Sequence, residues 1–330
     1  MLPLSAPPQS VLIVKPSSLG DIVHTLPAVA LLKRRWPRAV FRWMVNPEWA
    51  PLLEGNPCLD EVLHFPRREF RGFSGWLKFL PWLRSLRPYR SDLVLDFQGL
   101  LRSAILARAC RGGLLAGLSD AREGASFFYD HVVDVRGRTH AVDRYLELAT
   151  AFTGPQGPTG PLGTDPSLLG TDLEWPLPAG QPVQGVEPGY VLLHPFSRGT
   201  GKSLPPAQVS EFCEELAPMR VVVAGRAESR IDPGQNVLDL LNRTSMAELL
   251  WLIRQAAYVV SVDSGPMHIA AALTSRLLSI HTWSDPRKVG PYRADAWVWQ
   301  QGKVFQRGTP LQTRPVEDIR ALARFVAGRL

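Results

Sequence analysis

The chain has 330 residues, of which 45% are hydrophobic and 20% charged, and its formal net charge is +7. This length and composition are typical of a globular protein with two domains, and they exclude a disordered or fibrous chain. The excess of basic residues predicts an anionic partner: nucleic acid, a phosphorylated ligand or an acidic membrane surface. The three cysteines are too far apart in sequence for a disulfide framework or a cysteine metal site.

The first ten residues lack the basic and apolar regions of a signal peptide. Nowhere does the sequence contain the run of about 18 apolar residues that a membrane-spanning helix needs. We therefore expect a protein of the cytoplasm. The few, widely spaced cysteines agree with this, because disulfides rarely form in a reducing compartment.

Residues 11–27, VLIVKPSSLGDIVHTLP, form the most informative stretch near the N-terminus. The pattern predicts a buried strand, a loop of small residues and a helix opened by Asp21. Gly20 would let another molecule approach the backbone, and Asp21 would place a carboxylate at the exit of the strand. A carboxylate that only caps its helix explains the same pattern, and the pattern by itself does not decide between the two.

The next strands are predicted at residues 40–45, 61–65 and 92–96, with a short helix near 48–54. Residues 66–90 combine many basic side chains with aromatic ones at helical spacing, which predicts an amphipathic helix interrupted at Pro81. That helix either covers the sheet with a solvated basic face or lies on an anionic membrane. Gln98 and Arg102 follow the strand at 92–96, and a further helix spans about 140–152.

Residues 154–188 are rich in proline and glycine, which predicts a domain boundary. We expect an N-terminal domain at 1–155, a connector at 156–188 and a C-terminal domain at 189–330. The second half repeats the alternation of the first, with strands at 190–194, 220–224, 237–239, 258–262 and 277–281 and with helices at about 206–216, 246–255, 265–273 and 316–328. Alternation of this kind predicts two doubly wound α/β domains facing each other across a cleft.

Residues 259–273, VVSVDSGPMHIAAAL, contain a second candidate site. A buried strand ends at Asp263, and Ser264 and Gly265 then expose backbone N–H groups at the start of a helix. Aligned N–H groups and the helix dipole attract phosphate, and His268 lies one turn further along the helix. The alternative is a capped core helix with a hydrogen-bonded histidine.

Residues 194–203, HPFSRGTGKS, end like a P-loop, but Phe196 stands where that motif requires its first glycine. Ser197 and Lys202 remain as groups that suit phosphate binding, unless the loop is only a solvated basic segment. The chain has no Asp-x-Asp motif, which disfavours a sugar transferase that holds its nucleotide through a divalent metal. A nucleic-acid partner is supported by charge alone, because no nucleic-acid-binding motif occurs.

Seven blocks, in order, resemble glycosyltransferase family 9, the ADP-heptose:lipopolysaccharide heptosyltransferases. They are KPSSLGDIVHTLPA (15–28), EWAPLLEGNPCLDEVL (48–63), DFQGLLRS (96–103), HAVDRYLELA (140–149), SRGTGKSLP (197–205), VDSGPMHIAAAL (262–273) and SDPRKVGPY (284–292). The first block is most similar to the type that adds the first heptose to Kdo. The resemblance implies the GT-B fold, with two Rossmann-like domains.

The resemblance also implies roles for individual residues. Asp21 would be the catalytic base of the N-terminal, acceptor-binding domain. The expected acceptor-binding residues are Ser18, Gly20, Gln98 and Arg102. The expected donor-binding residues of the C-terminal domain are Ser197, Lys202, Glu228, Asp263, Ser264, Gly265 and His268.

The implied reaction is an inverting, metal-independent transfer of heptose from ADP-heptose to the Kdo region of the lipopolysaccharide inner core. No cofactor is expected, and the expected partners are ADP-heptose, a Kdo-lipid A acceptor and the anionic inner face of the cytoplasmic membrane, without nucleic acid. Three alternatives stay open: a related transferase with another nucleotide sugar or acceptor, a sugar-nucleotide-binding protein without turnover, and a nucleotide hydrolase or nucleic-acid-binding protein.

Overall fold

A computed structural model describes residues 4, 6–70, 72–153, 173–199, 201–228, 231–232 and 234–330. Most of the predicted connector lies outside the described residues, as do the side chains of Phe73, Ser74 and Trp76. The described chain divides into two compact units. Of the described residues, the N-terminal unit contains those up to Thr153 together with Glu174–Pro178, and the C-terminal unit contains Leu173 and Ala179–Leu330.

Six parallel strands form the sheet of the N-terminal unit, in the order β3-β2-β1-β4-β5-β6. They are β1 Ser10–Val14, β2 Val40–Val45, β3 Glu61–His64, β4 Ser91–Asp96, β5 Arg111–Leu118 and β6 His131–Val133. β1, β2 and β4 read as nearly continuous apolar runs because a parallel sheet is covered on both faces. The order is that of a doubly wound fold, and its direction reverses between β1 and β4.

Among its described residues, the N-terminal unit has four α-helices: α1 Leu19–Arg35, α2 Gly72–Ser85, α3 Leu101–Ala109 and α4 Ala141–Thr153. The predicted short helix near 48–54 is a 3-10 helix, Pro47–Leu52. The expected interruption at Pro81 is wrong, because α2 continues through it. Phe79, Trp82 and Leu83 pack against the core on both sides of the proline, which holds the helix together despite the missing N–H.

The eight-stranded sheet of the C-terminal unit has the order β14-β13-β12-β11-β10-β7-β8-β9. Its strands are β7 Val191–His194, β8 Val221–Gly225, β9 Val237–Leu241, β10 Tyr258–Val262, β11 Leu277–His281, β12 Trp297–Gln300, β13 Lys303–Gln306 and β14 Arg314–Pro315. β7 to β12 pair in parallel, and β13 and β14 extend the sheet antiparallel. The direction reverses between β7 and β10, as it does between β1 and β4.

The helices of the C-terminal unit are α5 Pro206–Glu215, α6 Met246–Gln255, α7 Gly265–Leu273, α8 Pro286–Val289 and α9 Ile319–Ala327. Ser245 caps α6, since its hydroxyl accepts a hydrogen bond from the Glu248 N–H at 3.2 Å. No helix among the described residues is both long and apolar enough to cross a membrane. The three cysteines are buried and unpaired.

Candidate active site

In the N-terminal unit, two loops lie at the carboxyl ends of β1 and β4, on either side of the point where the strand order reverses. Doubly wound sheets bind their ligands at this position. The loop after β1 carries Ser17 and Ser18, and the loop after β4 carries Gln98. The Ser17 N–H donates to Oε1 of Gln98 at 3.2 Å, so the two loops are joined directly.

Asp21 is the third residue of α1, and the helix begins after Ser18 rather than at Asp21 as predicted. Its Oδ2 accepts hydrogen bonds from the Ser18 N–H at 3.1 Å and from the Ser18 hydroxyl at 2.7 Å. The Ser18 side chain in turn faces the backbone N–H of Asp21, and the two residues form a capping box, so Asp21 does cap its helix. Its Oδ1 also accepts a hydrogen bond from the Tyr145 hydroxyl of α4 at 3.4 Å, a contact that capping does not require.

Lys15 and Tyr145 lie beneath Asp21 and are both buried. Nζ of Lys15 donates to the Phe97 carbonyl at 2.9 Å and to the Tyr145 hydroxyl at 2.8 Å. Burial lowers the pKa of Lys15, against the opposing influence of Asp21 and Asp96. Burial, followed by the charge of Asp21, raises the pKa of Tyr145 well above its ordinary value, so the phenol keeps its proton.

Asp96, the last residue of β4, holds the loop that carries Gln98. Its buried carboxylate accepts hydrogen bonds from the backbone N–H groups of Gln98 and Gly99 and from the hydroxyls of Ser103 and Tyr129. Burial raises the pKa of Asp96 although these four hydrogen bonds oppose the change. Its role in the loop is therefore structural.

Arg102 is the second residue of α3 and is exposed to solvent. It makes no ion pair with any residue in the described part of the chain. Of the four expected acceptor-binding residues, the structure brings Ser18, Gly20 and Gln98 together at the ends of β1 and β4. Arg102 lies in the first turn of the helix that follows the Gln98 loop, and among the described residues no hydrogen bond or ion pair joins it to the other three.

In the C-terminal unit, Lys202 and Asp263 form an ion pair, with Nζ 2.6 Å from Oδ2. Asp263 is buried at the carboxyl end of β10. Burial acts to raise the pKa of Asp263, but hydrogen bonds from Lys202 and Ser284 and the interaction with His268 and His281 outweigh it, so that the pKa is lowered. The carboxylate therefore stays ionised and holds the lysine at the start of α7.

Ser264 is the N-cap of α7, and Gly265 begins the helix. Within the described residues, the Ser264 side chain accepts no hydrogen bond from the first turn of this helix. Its hydroxyl instead lies 3.3 Å from that of Ser261. The first-turn N–H groups are thus not satisfied by the side chain that usually satisfies them, which suits a site for an external anion.

Hydrogen bonds hold the loop that carries Lys202. The Ser197 N–H donates to the Ser203 hydroxyl at 3.0 Å, and that hydroxyl donates to the Ser197 carbonyl at 3.2 Å. The Thr282 hydroxyl donates to the Gly201 carbonyl at 2.7 Å. Nζ of Lys202 lies 5.3 Å from the ring centroid of Trp283, which is largely exposed. The ammonium group is thus held between a carboxylate and an indole ring.

Two buried histidines lie at the carboxyl ends of the strands on either side of β10. His281 ends β11, and its Nδ1 lies 2.9 Å from the Ser284 hydroxyl. His194 ends β7 and lies close to Gly225. A Cβ atom added to Gly225 would come within 2.7 Å of Nε2 of His194. Burial lowers the pKa of each imidazole to about 4, so both are neutral near pH 7.

Glu228 stands apart from this cluster. It is exposed in the segment after β8 and makes no hydrogen bond or ion pair with the described residues. The structure brings Lys202, Asp263, Ser264 and Gly265 together, with His268 in the first turns of α7 and Ser197 at the base of the lysine loop. It does not bring Glu228 into contact with them.

Comparison with known proteins identifies the family. Residues 80–309 match glycosyltransferase family 9 (heptosyltransferase). Lipopolysaccharide heptosyltransferase 1 of Pseudomonas aeruginosa is 33% identical over 301 residues, covering 86% of this chain and 81% of that protein. Its counterpart from Salmonella typhimurium is 31% identical over 297 residues, covering 86% of this chain and 91% of that protein. The chain belongs to glycosyltransferase family 9.

Solved structures show the same fold. The chain is similar to the Escherichia coli heptosyltransferase WaaC with ADP, with a TM-score of 0.76, 24% identity and coverage of 97% of this chain and 100% of that one. WaaC with ADP-2-deoxy-2-fluoro heptose gives a TM-score of 0.74 at 25% identity, again covering 97% of this chain and 100% of that one. The predicted GT-B fold with two doubly wound domains is confirmed, and this family 9 protein is a glycosyltransferase.

Sequence reasoning missed several residues of both clusters. Tyr145 and Lys15 lie inside blocks that carry the family resemblance, yet neither was expected at the site. Lys15 does give a signal, because a lysine directly after a buried strand is costly unless it has partners. His281 and Ser284 give none, since their contacts with the Asp263 cluster depend on the pairing of β10 with β11.

No group of three or more potential metal ligands occurs among the residues that the structure describes.

Proposed function

We propose that this glycosyltransferase moves a heptose from ADP-heptose to the Kdo region of the lipopolysaccharide inner core, with inversion at the anomeric carbon. The observation that carries the proposal is the likeness to two curated enzymes named lipopolysaccharide heptosyltransferase 1, at 33% and 31% identity over 86% of this chain. The similar WaaC structure with an ADP-heptose analogue supports an ADP-linked donor.

Asp21 is the proposed general base. Its carboxylate takes the proton from an acceptor hydroxyl, the hydroxyl oxygen forms a bond to the anomeric carbon, and the bond from that carbon to the diphosphate breaks. The electron pair of the broken bond stays on ADP. The contact from Tyr145 to Oδ1 favours this role over a pure capping role, because the capping box with Ser18 uses only Oδ2.

The C-terminal cluster would bind the donor and stabilise the departing diphosphate. Lys202 supplies a positive charge, and the start of α7 at Ser264 and Gly265 supplies backbone N–H donors. These groups act where negative charge grows in the transition state, so they can supply the stabilisation that a divalent cation supplies in other transferases. We therefore propose a metal-independent reaction, with Ser197 and His268 as further donor contacts and Glu228 as a contact to the ribose or sugar.

The acceptor is proposed to bind at the ends of β1 and β4. Ser18 and Gln98 offer polar groups beside Asp21, and the exposed Arg102 offers a cation for the carboxylate and phosphate groups of a Kdo-lipid A acceptor. Gly20, buried within the first turn of α1, gives the backbone there no side chain that would obstruct the acceptor.

We further propose that the protein is cytoplasmic and binds the inner face of the cytoplasmic membrane through α2. The aromatic side of α2 packs on the core, whereas Leu77 and Leu80 are exposed beside Lys78 and Arg84. Exposed apolar side chains flanked by cations suit an anionic lipid surface. Sedimentation with phosphatidylglycerol vesicles should retain the wild type, and Leu77→Ser with Leu80→Ser should weaken retention; equal binding to phosphatidylcholine vesicles would contradict the charge argument.

The function is tested by offering the enzyme a matrix of donors and acceptors and measuring product mass. The donors are ADP-heptose, ADP-glucose and UDP-glucose, and the acceptors are Kdo-bearing lipid A and lipid A without Kdo. We expect a heptose-sized mass gain only for ADP-heptose with the Kdo-bearing acceptor. Transfer from another donor would identify a related transferase with a different sugar. Release of ADP without an acceptor product would identify a hydrolase.

A further inference from the structure

We propose that Tyr145 and Lys15 are positioning residues for Asp21: Lys15 orients the Tyr145 hydroxyl so that it holds Oδ1 of the Asp21 carboxylate. This inference rests on the proposed function, in which Asp21 accepts the proton. The juxtaposition comes from three separate elements, since Lys15 follows β1, Asp21 lies in the first turn of α1 and Tyr145 lies on α4.

The direction of the hydrogen bonds follows from donor and acceptor chemistry. A lysine amine has enough N–H groups for both of its contacts, to the Phe97 carbonyl and to the Tyr145 hydroxyl. The Tyr145 oxygen therefore accepts from Lys15, which leaves its single O–H proton for another acceptor. Oδ1 of Asp21, 3.4 Å away, is the acceptor that lies in reach.

Two anchors fix the carboxylate where one would not. The terminal torsion of an aspartate has broad minima, so a carboxylate held by one oxygen can rotate. Ser18 holds Oδ2 from within the turn that starts α1, and Tyr145 holds Oδ1 from α4. Together they fix the plane of the carboxylate relative to the carboxyl end of β1, which general base catalysis requires.

The tyrosine is held independently of the hydroxyl contact. Its ring packs edge-on against Phe97, with centroids 5.6 Å apart, and Nζ of Lys15 lies 4.9 Å from the ring centroid. Removing the hydroxyl therefore leaves the ring in place. The charged groups that act on the Lys15–Tyr145 pair are Asp21 on α1, Asp96 on β4, Asp120 after β5 and Arg144 on α4.

The test is Tyr145→Phe, measured by kcat, KM and the pH dependence of kcat/KM. We expect kcat to fall on the order of tenfold, with little change in KM for the donor, because one hydrogen bond to a charged group is lost. The acid limb of the pH profile should move to higher pH, because the carboxylate form of Asp21 loses a donor that favours it. Lys15→Met should act in the same direction, and adding it to Tyr145→Phe should cost little more, since both act through one contact.

Tyr190→Phe is the matched control, because it removes another buried hydroxyl, which donates to the Leu252 carbonyl at 2.9 Å in the C-terminal unit. It should leave kcat and the pH profile unchanged. An equal fall in kcat for Tyr190→Phe, or a fall for Tyr145→Phe without movement of the acid limb, would assign the effect to general destabilisation and overturn the inference.

A readout that needs no turnover separates this inference from the proposed function. Carbon-13 NMR of labelled aspartate, with Asp21 assigned through Asp21→Asn, follows the protonation of that carboxylate directly. We expect its titration midpoint to be higher in Tyr145→Phe than in the wild type. An unchanged midpoint overturns the positioning role, whether or not the wild type transfers heptose, whereas a wild type without transfer contradicts only the proposed function.

Discussion

The six parallel strands of each unit have the same order, yet the two units place a carboxylate differently at the carboxyl edge of the sheet. In the N-terminal unit, Asp21 is the third residue of α1 and satisfies the start of its own helix through the capping box with Ser18. In the C-terminal unit, Asp263 comes before the N-cap of α7 and pairs with Lys202 instead. The protein's own carboxylate thus occupies the start of α1, whereas we propose that an external anion binds at the start of α7.

This difference shows how one architecture gives two kinds of site. A carboxylate inside the first turn is held beside the loops after β1 and β4, where it suits the proposed proton transfer. A carboxylate one residue before the N-cap serves to hold a cation beside the helix start, where it suits a diphosphate.

Asp21→Asn removes the proton acceptor and leaves an amide oxygen that can still cap α1. We expect kcat to fall by about a thousandfold, the scale of general base catalysis, while the affinity for ADP stays the same. Steady-state kinetics and calorimetric titration with ADP measure the two quantities. Asp60→Asn is the control, since this carboxylate of the same unit accepts from the Phe41 N–H and from Lys33. Nearly full activity in Asp21→Asn would remove Asp21 from the role of base.

Lys202→Ala should differ from Asp21→Asn, because it weakens the binding of ADP itself. We expect the affinity for ADP to fall by about a hundredfold, since a charge-assisted contact is lost and the buried Asp263 is left without its partner. Calorimetric titration measures the affinity, with Lys288→Ala as the control because that lysine is exposed on α8. Unchanged nucleotide affinity in Lys202→Ala would refute the phosphate assignment.

The buried His194 makes the C-terminal unit sensitive to acid. Its pKa is lowered by burial from 6.5 to about 4, so between these values the unfolded chain binds a proton that the folded chain does not. Folding is therefore favoured above pH 6.5 and loses stability as the pH falls towards 4. Urea unfolding should show a loss of about 2 kcal/mol on going from about pH 7.5 to about pH 5 through this residue.

His194→Gln tests that assignment, because glutamine does not titrate. The variant should lose less stability on acidification than the wild type does. His64→Gln, at an exposed position of β3, should keep the wild-type dependence. If His194→Gln and the wild type respond to acid alike, the buried histidine is not the cause.

Ser245→Ala gives the smallest expected effect and separates stability from function. The hydroxyl caps α6 by accepting from the Glu248 N–H, and its loss should cost about 1 kcal/mol of unfolding free energy. Neither kcat nor the affinity for ADP should change. A loss of activity here would mean that the other substitutions also report on stability.

Buried parallel strands were the most predictable part of the fold. The apolar runs of β2, β10 and β11 predicted their observed bounds, because strands covered on both faces leave a continuous apolar signal. β5 and β6 were missed: β5, RGGLLAGL, contains three glycines, which disfavour strands, and β6 has only three residues. β12 to β14 and α8 were also missed, because they are short and lie in a segment without clear periodicity.

The residues of the candidate site were predictable where they directly follow a strand, because that position puts them at the edge of the sheet. Asp21 and Asp263 each follow an apolar run, so the sequence places both at a sheet edge. Tyr145 was not predictable in this way, since it lies 124 residues from Asp21 in sequence and reaches it only through the packing of α1 against α4. Contacts of that kind depend on the tertiary fold.

The central claim is a single displacement in which a carboxylate of the N-terminal unit deprotonates the acceptor and the C-terminal unit holds the diphosphate without a metal. The most direct test is transfer from ADP-heptose to a Kdo-bearing lipid A in excess EDTA, with the anomeric configuration of the product determined by NMR. We expect a product formed in EDTA with the configuration opposite to that of the donor. A product with retained configuration, or transfer that requires an added divalent cation, would contradict it.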